Sequence, residues 1–156
     1  MSTDKPHYIY ESFYGGKQEV ELMLNAYRLN DNIYVGLKAV EPDGSTCHYA
    51  DLTVNIPSAP PLEPFQAAID IEHLGQLDVM NFLSESGLAT HTGKYLPSGY
   101  MLFPVYSFDP GKLSEADPCG FKDYLKIAGL GEKQIDNKPL DELMGLAKER
   151  YREMRS

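Results

Sequence analysis

Residues 18–24 read Gln18-Glu19-Val20-Glu21-Leu22-Met23-Leu24. Val20, Leu22 and Leu24 alternate with Glu19, Glu21 and Met23, the two-residue period of a strand with one face buried. Outward from this stretch the pattern repeats. Tyr8 to Phe13 is strand-like, and Gly15-Gly16 supplies the turn between the two. On the other side, Asn30-Asp31-Asn32 tolerates left-handed backbone before Ile33 to Val40 resumes a strand. Glu41-Pro42-Asp43-Gly44 is a second turn. Cys47 to Ile56 then puts Leu52, Val54 and Ile56 on one face and Asp51, Thr53 and Asn55 on the other. Consecutive strands joined by short turns predict an antiparallel β-meander.

Beyond it, Pro57, Pro60, Pro61 and Pro64 predict an irregular connector. Phe65 to His73 reads as a strand through Ile69 and Ile71. Leu77 to Ser86 has the helical spacing of Leu77, Met80 and Phe82-Leu83, with Gly87 as terminator. A loop through Thr92-Gly93 and Pro97-Ser98-Gly99 leads into a strand from Tyr100 to Phe108, where Pro104 requires an edge or a bulge. Phe121 to Ala128 is a short helix stopped by Gly129. Asn137 caps a longer helix from Pro139 to about Met154, whose Leu140, Leu143, Leu146, Ala147, Tyr151 and Met154 form an apolar stripe. The expectation is an α+β fold: one antiparallel meander sheet, one packed helix, and a C-terminal helical extension. Residues 1–118 form the acidic α+β domain and 119–156 the extension.

With 156 residues the chain is the size of one ordinary domain, large enough to fold without disulfides or metal. Two cysteines make no disulfide framework, no apolar run approaches a membrane span, and Met1 to His7 lacks a signal peptide's apolar core. A cytoplasmic location is expected, with no membrane partner. Charge is unevenly placed. Residues 1–120 hold 16 Asp/Glu against 6 Lys/Arg, a balance of −10, whereas 121–156 hold 7 against 8, a balance of +1. No Lys or Arg lies between Lys38 and Lys94, a stretch carrying Glu41, Asp43, Asp51, Glu63, Asp70, Glu72, Asp78 and Glu85. Direct binding to nucleic acid is disfavoured, because phosphates require a basic footprint. A basic protein surface is the favoured partner, with those eight acids as its contact residues; acidity serving only solubility is the plain alternative.

Catalytic signatures fail on chemistry. Gly87 to Tyr95 has one residue too many for a phosphate-binding loop and ends in Tyr95 where Ser or Thr is required. His7, His48, His73, His91, Cys47 and Cys119 lack zinc-ligand spacing, and Ser98 lacks a nucleophile elbow. Asp70 and Glu72 would share a face on a strand, a pairing that could hold a cation or merely face solvent. No catalytic residue, metal or cofactor is expected. Eleven tyrosines without a tryptophan include Tyr8, Tyr10, Tyr95, Tyr100 and Tyr106, placed where they serve an interface or the sheet itself.

Four short patterns in order are Asp51 to Pro57, Phe82 to Leu88 with its closing Ser86-Gly87-Leu88, Thr92-Gly93, and Pro97-Ser98-Gly99-Tyr100 running on to Phe103-Pro104-Val105-Tyr106. Over residues 18–110 they resemble a small uncharacterised domain-of-unknown-function family carried on conjugative and other mobile elements of intestinal-type bacteria. That resemblance implies counter-defence: a non-enzymatic inhibitor of anti-CRISPR or anti-restriction type, whose partner is a nucleic-acid-binding nuclease. Two further readings stand beside it. One is an accessory protein that self-associates or assembles through Leu140, Leu143, Leu146, Tyr151 and Met154. The other is a small-ligand binder or enzyme whose concave pocket gathers His73, His91 or the tyrosines.

Overall fold

The computed structural model describes residues 5–27, 31–57, 59, 62–127 and 139–155; the expected roles of Asn30, Pro60, Pro61, Gly129 and Asn137 lie outside them. The alternation of residues 18–24 becomes β2 (Gly16–Ala26), with Val20, Leu22 and Leu24 buried in the core. This strand pairs with β1 (Tyr8–Ser12) and β3 (Ile33–Val40), and β4 (Thr46–Asp51) pairs with β3, so the sheet runs in chain order with every pairing antiparallel. Asp31, in the turn before β3, adopts the left-handed φ of 59° that its short polar side chain permits.

A second antiparallel sheet follows, built from β5 (Thr53–Val54), β6 (Gln66–Ile69), β7 (Ala89–Ser98) and β8 (Met101–Phe108) in the order β5-β6-β8-β7. The helices are α1 (Ile71–Leu74), α2 (Gln76–Ser86), α3 (Pro110–Ala116), α4 (Pro118–Ile127) and α5 (Leu140–Arg155). The protein is α+β, as the patterning predicts, with its strands divided between two sheets and several helices packed on them. The main core cluster runs through both sheets and takes in Val79, Phe82 and Leu83 of α2, Leu113 of α3, Phe121, Tyr124 and Leu125 of α4, and Leu143 and Ala147 of α5, while a smaller one gathers Ile56, Ala68 and Phe103.

Four local expectations are corrected. Residues 47–56 are not one strand, because the ladder changes sheets at Leu52. There the Leu52 amide still donates to Val35 O at 2.9 Å, while its carbonyl accepts from the Asp70 amide of the other sheet at 2.9 Å. Thr53 Oγ1 then takes the Val35 amide at 3.2 Å, so a side chain ends the β4 ladder. Ile71 is not in a strand either. Asp70 accepts the His73 amide at 3.1 Å, capping the short α1 as soon as β6 stops. The expected loop at 92–99 is β7, an edge strand that tolerates Pro97; its register shift between His91 and Tyr95 lies opposite Pro104. Residues 110–116 form a helix that the expectation omits, although Asp109-Pro110 is a cap followed by proline at the first helical position.

Candidate functional site

Leu52 decides where two of the acids meet, and a third joins them from α2. Asp51 ends β4 on one side of it, and Asp70, whose amide donates to Leu52 O, directly follows β6. Asp78 comes from the first turn of α2, where its Oδ2 accepts the Phe13 amide at 3.1 Å and ties the β1–β2 turn to the helix. A cleft of about 580 Å³ opens between these carboxylates, lined also by Tyr10, Tyr14, Tyr49 and His73. That volume falls within the roughly 300–1,000 Å³ of small-molecule sites. Its tyrosines come from opposite edges of the first sheet. β1 and β4 are separated by β2 and β3, which in a flat sheet places them about 14 Å apart. Yet the Tyr10 and Tyr49 rings are 5.9 Å apart edge to face, so side chains of the two edge strands meet at the cleft.

The polar groups of the cleft are partly engaged. Asp51 Oδ1 accepts from Tyr34 OH at 2.5 Å and pairs with His48 Nε2 at 3.0 Å. Burial acts to raise the Asp51 pKa, but these two bonds and the neighbouring His73 outweigh it, and the carboxyl sits below its ordinary value. His73 Nδ1 lies 2.8 Å from Asp70 Oδ2. That bond, then the Asp70 charge, raises the His73 pKa above its ordinary value. Beneath them Tyr10 is only 1% exposed, and its hydroxyl is buried with no hydrogen-bond partner among the described residues. Desolvation raises the Tyr10 pKa first, and Asp78 and Tyr49, both lining the cleft, add to it.

The remaining acids lie elsewhere. Glu85 joins Glu11 and Asp78 around a second, smaller cleft of about 230 Å³ between β1 and α2. Glu72 is exposed on α1. Glu41 and Asp43 occupy the β3–β4 turn, Glu41 near Cys47 Sγ at 3.4 Å and Asp43 bonded to Ser45. Glu63 faces Lys94 at 3.6 Å. Exposed apolar side chains line the two clefts, Tyr14 the larger and Ile9 and Phe13 the smaller, and Leu77 is exposed on α2 next to Asp78 in sequence. His73 enters the larger cleft, whereas His91 packs against Tyr95 and Tyr106 on the second sheet. Neither Tyr14 nor Tyr49 is marked by sequence pattern as a site residue; only Tyr14, next to Gly15-Gly16, carries a signal, as an aromatic at a turn. Among the described residues, no group of three or more His, Cys, Asp or Glu could hold a metal ion, and no helix is long and apolar enough to cross a membrane.

On α5, Leu143 and Ala147 are buried in the protein's own core, Leu146 packs partly against it, and Tyr151 is half-buried. The side chains of Leu140 and Met154 lie outside the described residues. The centre of the apolar stripe is thus occupied by the chain itself.

The fold and the cleft define an α+β domain with an acidic, tyrosine-walled recess at the seam of two sheets. The chain belongs to the family described as "Domain of unknown function (DUF4313)", which matches residues 21–127. That span reaches past the expected limit at 110 and includes α3 and α4. No curated protein and no solved structure matches the chain.

Proposed function

We propose that the protein is a non-enzymatic binding factor that engages a basic protein surface through the face made by the β1–β2 turn, α1 and α2. The observation that carries this reading is the convergence of Asp51, Asp70 and Asp78 on one cleft lined also by exposed Tyr14, with exposed Phe13 lining the adjoining cleft that shares Asp78. Carboxylates steer and orient a cationic partner, while exposed aromatic and aliphatic area supplies the contact energy that surface charge alone does not. In its finer form the proposal places the protein on a mobile element, acting in the cytoplasm as a counter-defence inhibitor. The acids then stand where phosphates would in the basic groove of a nuclease.

The test uses the full chain as bait in a lysate of its natural host, beside an Asp51→Asn/Asp78→Asn/Glu85→Gln variant. The expected result is a basic nucleic-acid-binding protein held at low salt, released at high salt and missing from the variant, since screening weakens exposed ion pairs. Capture that ignores both salt and the three substitutions overturns the proposal.

A further inference from the structure

We propose, resting on the binding reading above, that the cleft between Asp51, Asp70 and Asp78 seats one arginine side chain of the partner. Carboxylates alone would not single out a ligand. The second observation is Tyr10, which is 1% exposed, lines the same cleft and has a hydroxyl with no hydrogen-bond partner among the described residues. A buried hydroxyl left without a partner is unfavourable, and a donor arriving in the cleft would relieve it.

The geometry selects the kind of donor. Asp51 Oδ1 and Asp78 Oδ2 are already bonded, to Tyr34, His48 and the Phe13 amide, which holds both carboxylates in place. Their other oxygens, Asp51 Oδ2 and Asp78 Oδ1, have no hydrogen bond among the described residues. The free acceptors are therefore on separate residues, and among the described residues no three acids or histidines are gathered closely enough to hold a metal ion. A guanidinium presents five N–H groups in a rigid plane and reaches several such acceptors at once, whereas an ammonium is a compact, strongly hydrated charge. The walls agree with this choice. Tyr14, 96% exposed, and Tyr49, half-buried, both line the cleft, and aromatic rings are favourable neighbours for a planar cation. His73, bonded to Asp70, leaves the cleft less negative when protonated, so binding is measured above neutral pH.

The experiment titrates the intact 156-residue chain with Nα-acetyl-arginine amide, Nα-acetyl-lysine amide, Nα-acetyl-citrulline amide and free L-arginine, read by amide chemical shifts. Citrulline keeps the shape of arginine without its charge. Capped arginine is expected to move the resonances of Tyr14, Tyr49, Asp51, His73 and Asp78, with lysine weaker and citrulline without effect. Asp51→Asn and Asp78→Asn keep the oxygens that Tyr34 and Phe13 need, and each is expected to weaken binding about ten-fold, the loss of one charge-assisted hydrogen bond. Tyr10→Phe should weaken it as well while leaving the fold intact, since that hydroxyl has no partner to lose. Shifts spread equally to the Glu41–Asp43 turn, equal binding of citrulline, or indifference to all three variants would overturn the inference. Tighter binding of free L-arginine than of the capped form would overturn its assignment to a protein partner. If salt-sensitive capture of a basic protein succeeds while capped arginine does not bind, the arginine seat falls and the binding reading stands.

Discussion

At the scale of single residues, the side chains around the cleft are set by local bonds rather than by long-range fields. Asp70 is the clearest case. It is 8% exposed, and one carboxylate both caps α1 and holds the His73 ring. Because His73 gains a partner on folding, its pKa lies above the ordinary 6.5. The sign of the linkage follows: this contribution to stability is fully present below pH 6.5 and is lost as pH rises through the higher folded value. Proton NMR titration of the ring should place His73 above 6.5 in the parent and return it towards that value in Asp70→Asn. A His73 that titrates at or below 6.5 in the parent would show that the pair does not persist in solution. Phe65 makes a comparable demand on the backbone. A bulky residue at φ 67° is strained, and it is held there because its amide donates to Tyr124 OH at 3.1 Å and its ring stacks on Phe121 at 5.8 Å.

Among the elements, the approach of α4 to β2 is the tightest joint. Asp117 accepts the Leu24 amide at 2.9 Å, beyond the point where β1 stops pairing, and so closes an otherwise open stretch of β2. Gly120 lies directly over the same strand; a Cβ there would sit 2.5 Å from the Leu24 carbonyl oxygen and 2.4 Å from Asp117 Oδ2. Neither neighbour is a free side-chain end, so α4 would have to lift. Gly145 in α5 is the opposite case, with nothing within 4 Å of the position of a Cβ. Alanine at Gly120 should cost about 1–3 kcal/mol in denaturant unfolding through overpacking. At Gly145 it should add about 0.5–1 kcal/mol through helix propensity alone. Equal effects at the two sites would mean that α4 does not press on β2 as described.

Across the whole molecule, both sheets and α2 to α5 share one core cluster, although the ladder is broken at Leu52. A shared core unfolds as a unit, because neither sheet retains a buried face without the other. Far-ultraviolet circular dichroism and tyrosine fluorescence should therefore report one coincident transition, the latter drawing on 11 tyrosines with no tryptophan to mask them. Two separated transitions would divide the molecule into independent units and remove the rigid seam on which the cleft depends. The same unity explains why α5 is a weak candidate for assembly: Leu143 and Ala147 are already within the core.

What the sequence determined by itself was whatever rests on neighbours a few residues apart. The alternation in 18–24, the turns at Gly15-Gly16 and Pro42-Asp43-Gly44, and the spacing of Leu77, Met80 and Leu83 dictate strands, hairpins and a helix wherever they occur. The absence of Lys and Arg from 39–93 likewise made the acidity legible, and Asp51, Asp70 and Asp78 stood among the acids it named. Which of those acids meet was decided only in three dimensions. Asp51 and Asp70 are brought together by the change of sheet at Leu52, a hydrogen-bond choice made by residues 17 or 18 positions away in sequence. Tyr10 and Tyr49 meet although they belong to the two edge strands of a four-stranded sheet, a contact between distant strands that no single strand records.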